Sequence, residues 1–188
     1  MPRQGLNREI ILYKAIDIIN RRGYQQLSFT ILASELGVKP PAMFKHYENL
    51  DALKQNLALH GLKMLKQSLQ DVVTGRSGEQ ALTALCHAYR DFAKSNKSVY
   101  QAIQPSFFLK NKEVEQAAMQ LMGIMMRVLK GFKIAEQNYI HPLRIIRSSL
   151  HGFVVMETEF HFGTPGSIDK SFEAQIRALL FVVKSFEE

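Results

Sequence analysis

Apolar residues recur at helical spacing along most of this 188-residue chain, and short polar or glycine-bearing breaks interrupt them. Ile11, Ala15, Ile18 and Ile19 make the first stripe. They predict a helix that Asn7 caps and that runs to about Arg22. Lys14, Arg21 and Arg22 lie off that stripe, on a face that is either solvated or free to reach phosphate. Phe29, Leu32, Ala33 and Leu36 then fall on one face of a second helix, with Ser28 as its N-cap. Gly37 follows at once, where a chain leaving a helix through positive φ favours glycine. Val38 can plug the gap between two crossing helices, and a third helix carries Met43, Phe44 and Tyr47. A residue before proline avoids the α region, so this helix is expected to start at Pro41.

A long fourth helix is predicted from Asn49 or Leu50 to Val73, with Leu53, Leu57, Leu62, Leu65, Leu69 and Val72 inward. Thr74-Gly75-Arg76-Ser77-Gly78 breaks it. Leu82, Leu85, Cys86, Tyr89 and Phe92 mark a fifth helix, Glu79 to Ser95. A short sixth, Ser98 to Gln104, ends at Pro105 and leads into an apolar loop, Ser106-Phe107-Phe108-Leu109. The seventh, about Asn111 to Phe132, is rich in methionine. After a polar break at 135–141, an eighth runs from Pro142 to about Phe162. The turn Gly163-Thr164-Pro165-Gly166 precedes a ninth, from Ser167 or Ile168 to Phe186. No stretch alternates as a strand would, so the chain is read as all-α, with about nine helices.

Helix, short glycine turn and helix over 28–47 is the helix-turn-helix pattern, which any two-helix hairpin can also present. Charge sharpens it. The formal net charge is +7, and residues 1–70 hold ten Lys and Arg against five Asp and Glu, net +5. The remainder holds fourteen against twelve, net +2. The basic excess thus sits with the helix-turn-helix, as a polyanion-binding end requires.

The flanks add a family. Ile11, Ala15, Ile18, Ile19, Gly23-Tyr24, Ser28, Leu32-Ala33, Leu36-Gly37-Val38, Met43-Phe44, His46-Tyr47 and Leu53 stand in an order and spacing that resembles the DNA-binding domain of the TetR (tetracycline repressor) family. The resemblance covers roughly the first fifty-five residues. Farther on, SLHGFVVMETEFHFG with DKSFEAQI looks like a C-terminal class of the same family marked by a Trp-His-Gly signature. His151-Gly152 are present, but Arg147 stands at the tryptophan position. The resemblance implies a helix-turn-helix domain at 1–48 and a helical effector-binding and dimerisation domain at 49–188. It implies a ligand-responsive repressor that binds palindromic double-stranded DNA as a homodimer. The DNA-binding set would be Ser28, Thr30, Lys39, Pro40, Pro41, Ala42, Phe44, Lys45, His46 and Tyr47.

Several of these positions depart from the family. Lys39 stands where a capping Ser or Thr is usual, and losing such a cap costs ~1 kcal/mol. Pro40 and Pro41 offset part of this, because proline suits a first helical turn and has no N–H to satisfy. Neither they nor Ala42 can read a hydrogen-bond pattern; they offer only apolar contact, best matched to a thymine methyl. Lys39 and Lys45 are the expected polar contacts. Phe44 replaces a tyrosine whose hydroxyl would bond phosphate, and Leu50 replaces a phosphate-binding lysine. Both changes weaken the salt-dependent part of affinity. They support an alternative: a dimeric small-molecule-binding or scaffold protein that has lost sequence-specific DNA binding.

The family implies that the last two helices pair with a second copy. Leu150, Gly152, Phe153, Phe160, Phe172, Ile176, Leu179 and Val183 are the expected interface. It also implies an effector pocket, for which Tyr89, Phe92, Tyr100, Phe107, Phe108, Met119, Met122, Met126 and His151 are candidates, plain core packing being the competing role for each. The effector would be apolar or aromatic, because the pattern leaves few interior charges.

Little points to catalysis. Glu157 and His161 lie four apart and could seed a metal site, but there is no phosphate loop, nucleophile elbow or HExxH. No cofactor is expected. Cys86 is the only cysteine, so neither an intramolecular disulfide nor a thiolate zinc site can form, and it reads as a small core residue. The N-terminal MPRQGLNRE has no apolar core, and no run approaches the ~20 apolar residues of a membrane span. A cytoplasmic location is expected.

Overall fold

A computed structural model describes residues 5–104 and 111–188. Among them every regular element is helical: α1 (Arg8–Arg22), α2 (Phe29–Leu36), a 3-10 segment (Pro40–Lys45), α3 (Leu50–Val73), α4 (Gly78–Ser95), α5 (Lys97–Ile103), α6 (Lys112–Leu129), α7 (Ile140–Val155), a π-helical turn (Met156–Phe160) and α8 (Ile168–Lys184). The expected ends of the early helices hold because their caps are local. The side chains of Asn7, Ser28 and Asn49 accept from the backbone N–H three residues on, those of Ile10, Ile31 and Ala52. Gly37 leaves α2 at φ 66°, ψ 30°, a left-handed conformation that a Cβ would oppose.

Two compact units result: Met1–Lys63 with Asn96–Ala118, and Met64–Ser95 with Met119–Glu188. α3 and α6 each contribute to both.

In the first unit, α1 packs on α2 and α5. Ile11, Ala15, Ile18 and Ile19 meet Leu32, Met43, Tyr47, Leu53 and Leu57 in one core. Each buried isoleucine, leucine or methionine among them contributes roughly 1.5–3 kcal/mol by leaving water. The Ser98 hydroxyl donates to the Ile19 carbonyl at 3.0 Å, which satisfies a buried polar pair between α5 and α1. Gly61 is the close-approach point of α3 and α5; a Cβ there would lie 2.9 Å from Val99 and Ile103.

In the second unit, α4, α7 and α8 pack on one another. Leu82, Leu85, Cys86, Tyr89 and Phe92 are buried, as are Leu143, Ile146, Leu150, Val154, Phe172, Ile176, Leu179 and Val183. Burial pushes the Cys86 thiol up to about 12, so the nucleophilic thiolate is scarce. Gly131 sits against the backbone of Gly78, where a Cβ would come within 2.1 Å of its nitrogen.

Three expectations change. The third helix is a 3-10 segment beginning at Pro40, not an α-helix from Pro41. Two adjacent prolines supply no N–H, and the bonds that follow (Ala42 N–H to the Lys39 carbonyl, His46 N–H to that of Met43) close tight i to i+3 turns. The eighth helix does not run unbroken to Phe162. It ends as α7 at Val155, passes through the π turn, and stops at His161 with φ 57°. Finally, Leu150, Phe172, Ile176, Leu179 and Val183, expected to face outward, are packed within the protomer.

Candidate nucleic-acid interface

The 3-10 segment is positioned from three directions. Met43 is its inward anchor in the core. Phe29 of α2 meets the Phe44 ring edge-on, at 5.3 Å between centroids. At the segment's end, the Arg8 Nε donates to the His46 carbonyl at 2.9 Å, and the Tyr47 hydroxyl donates to the Arg8 carbonyl at 3.3 Å. The Asn56 side-chain amide of α3 donates to that same hydroxyl at 2.7 Å, and the Arg8 guanidinium lies over the Tyr47 ring. The starts of α1 and α3 are thus tied to the residues that close the segment.

The side chains left outward are Lys39, Pro40, Pro41, Phe44 and Lys45, all exposed; Ala42 and His46 are half-buried. Thr30 is exposed on α2. Two expected DNA-binding residues have other work. The Ser28 hydroxyl caps α2, and Tyr47 is buried with its hydroxyl engaged on both sides. Lys39 makes no capping bond, as its side chain requires.

The basic residues of α1 are paired rather than free. Arg21 reaches Asp17 at 3.1 Å and Glu35 at 2.6 Å, Arg22 reaches Glu35 at 2.9 Å, and Lys14 reaches Asp17 at 3.3 Å. The Arg21 guanidinium holds both carboxylates below their usual range. The two Glu35 pairs fasten α1 to α2, and Lys39 and Lys45 are the cations flanking the exposed prolines in the sequence. Glu35, which has no place in the helix-turn-helix pattern, was the residue that could have signalled this.

The second unit has a contrasting polar feature. Arg90 of α4 is buried, its Nε and Nη2 donating to the two Glu157 carboxylate oxygens at 2.7 and 2.6 Å. Nη2 also reaches Asp169 at 2.7 Å, Lys94 reaches Glu157 at 3.2 Å, and the guanidinium lies 4.7 Å from the Phe172 ring centroid. Hydrogen bonds from Arg90 lower the Glu157 pKa. This interior therefore does hold charge, contrary to expectation. Glu157, one half of the imagined metal pair, is turned to Arg90, while His161 is exposed.

The expected effector residues scatter. Tyr89, Phe92 and His151 belong to the second unit, the first two buried and the third half-buried; burial lowers the His151 pKa. Tyr100 is buried in the first unit. Met119 and Met126 are exposed and Met122 half-buried, so the methionine stripe of α6 faces largely outward. The inward stripe is Leu121, Ile124, Met125 and Val128. Phe107 and Phe108 lie outside the described residues.

A family model, the tetracyclin repressor-like C-terminal domain, matches residues 82–179. An HTH-type transcriptional regulator of Bacillus subtilis (strain 168), YobS, is 32% identical over 179 residues, covering 95% of this chain and 93% of the relative. The chain belongs to the TetR family of transcriptional regulators. Solved structures share the fold. A protein of unknown function from Rhodococcus sp. RHA1 superposes with TM-score 0.81 at 21% identity, over 96% of this chain and 97% of that one. BioQ, solved with its double-stranded DNA operator, gives 0.73 at 18% identity, over 96% and 99%. The exposed 3-10 segment takes the place of the second helix in the helix-turn-helix pattern. Among the described residues, no helix is long and apolar enough to cross a membrane.

Proposed function

We propose that this regulator acts in the cytoplasm as a homodimeric repressor that reads palindromic DNA and leaves it when a small effector binds. One observation carries the DNA-reading part: the 3-10 segment after Gly37 is fixed from behind by Met43, Phe29 and Arg8, yet turns Lys39, Pro41, Phe44 and Lys45 outward. A rigid, lysine-flanked, exposed element is what a major groove can accept. Lys39 and Lys45 supply the polar contacts. BioQ, which shares the fold, was solved on operator DNA, and that supports the same use here.

Dimerisation is supported by the outer face of the second unit. On α8, Ala174, Ala178 and Phe181 fall on one side, all exposed, Phe181 by 77%. On α7 and the π turn, Gly152, Met156 and Phe160 are exposed, Phe160 by 67%. Small residues let helices approach, and large exposed rings need cover. A two-fold pairing of α7 and α8 would bury this face and give the dimer two 3-10 segments, one for each half of a palindrome.

Effector binding is assigned to the second unit, among Tyr89, Phe92 and His151, next to the Arg90–Glu157 pair. Ligand there would favour dimers whose reading segments no longer fit adjacent grooves. Selection of operators from random duplex DNA tests the whole reading. An inverted repeat bound by two chains supports it; weak binding without a consensus would favour the scaffold alternative.

A further inference from the structure

The outward side of the 3-10 segment is apolar where a reading element is ordinarily polar. A 3-10 helix has three residues per turn, so side chains at i and i+3 eclipse. Pro41 therefore stands in line with Phe44, and Ala42 with Lys45. Phe44 is 59% exposed, and Phe29 buttresses its ring edge-on, with planes at 88°. Met43, not Phe44, is the residue of the segment that fills the core. Neither proline nor phenylalanine has a side-chain donor or acceptor, so this strip is blind to hydrogen-bond patterns. On the base edges of the major groove, one group is apolar, the C5 methyl of thymine.

We propose that Pro41 and Phe44 determine specificity by contact with thymine methyl groups, so the operator half-site carries one or two thymines that are read for their methyls. Lys39 and Lys45, at either end of the strip, set its place against the backbone. The proposal rests on the DNA-reading function proposed above.

The test uses the full-length chain and the duplex selected from random DNA. Each thymine of a half-site is replaced in turn by deoxyuridine, which removes the methyl and leaves every hydrogen-bonding group. Affinity is read by fluorescence anisotropy at several salt concentrations. The expected result is a loss of threefold or more at one or two positions, with the salt slope unchanged, since no phosphate contact is altered. Phe44→Ala is expected to abolish the distinction at one of those positions; its unfolding transition, compared with wild type, controls for folding. A selected operator bound equally well with every thymine replaced overturns the methyl readout and leaves DNA reading intact. A consensus without thymine overturns it too. Failure to select any operator overturns both.

Discussion

Two surfaces of this regulator expose aromatic rings, and their surroundings differ. Phe44 of the first unit stands between exposed Pro40, Pro41 and Lys39 on one side of the sequence and Lys45 on the other, and Phe29 meets its ring edge-on. In the second unit, Phe160 follows exposed Gly152 and Met156 on α7 and the π turn, and Phe181 follows exposed Ala174 and Ala178 on α8. An apolar ring among cations suits an anionic polymer with apolar patches. An apolar ring among small residues suits a second helix that must come close. Exposure alone does not tell what covers a surface; the neighbours do.

The largest effect should come from the second surface. Phe160→Asp with Phe181→Asp places charge in the proposed helix pairing. Sedimentation should show the dimer weakened by at least roughly a hundredfold, the scale of two lost interface anchors. Operator affinity should fall with it, while Phe44→Ala leaves sedimentation unchanged. The comparison breaks if the double variant remains a dimer.

Next comes the pair that holds the π turn carrying Phe160. Glu157→Gln removes the main partner of buried Arg90 and should cost about 2 kcal/mol. That is below the usual figure for breaking a buried pair, because exposed Asp169 still engages Arg90. The Glu157 pKa is lowered in the folded protein, so its stabilisation is full above the ordinary carboxylate value and is lost as pH falls through the folded one. Thermal unfolding between pH 7 and pH 3 should therefore show a steeper acid loss in wild type than in Glu157→Gln.

A smaller effect belongs to the first surface. Phe44→Ala should weaken operator binding by about tenfold with stability within about 0.5 kcal/mol, as for an exposed residue. Smallest is Lys45→Ala, expected to weaken binding severalfold; if it meets phosphate, the salt slope falls by about one per half-site. Unchanged affinity in Lys45→Ala, read by titration, would remove that residue from the interface.

What the sequence made legible is what local chemistry decides. Asn7, Ser28, Asn49 and Gly37 bound their helices by contacts within a few residues, and the repeating leucines of α3 needed no partner to be read. The family resemblance extended this to fold and function. The rest depended on which side of a stripe meets what. A stripe of period 3.6 looks the same whether it packs within a protomer or against a second one, so the pattern alone does not show that Leu150, Phe172, Ile176, Leu179 and Val183 are packed within the protomer. The methionines of α6 drew attention by composition, although Met119 is 65% exposed. Arg90 reads as an ordinary polar residue of α4 until Glu157, 67 positions on, is brought to it. Two adjacent prolines point in the sequence to a shifted helix start, and in the structure they change the kind of helix.

The most direct test of the central claim is the composition and symmetry of the complex with selected DNA. Full-length protein, incubated with a random duplex library and carried through rounds of selection, should enrich an inverted repeat. Sedimentation of the complex should give an even number of chains per duplex, and affinity should fall as salt rises. Enrichment of no sequence, or one chain bound to an asymmetric site, would contradict the account of a two-fold regulator that reads DNA through its 3-10 segment.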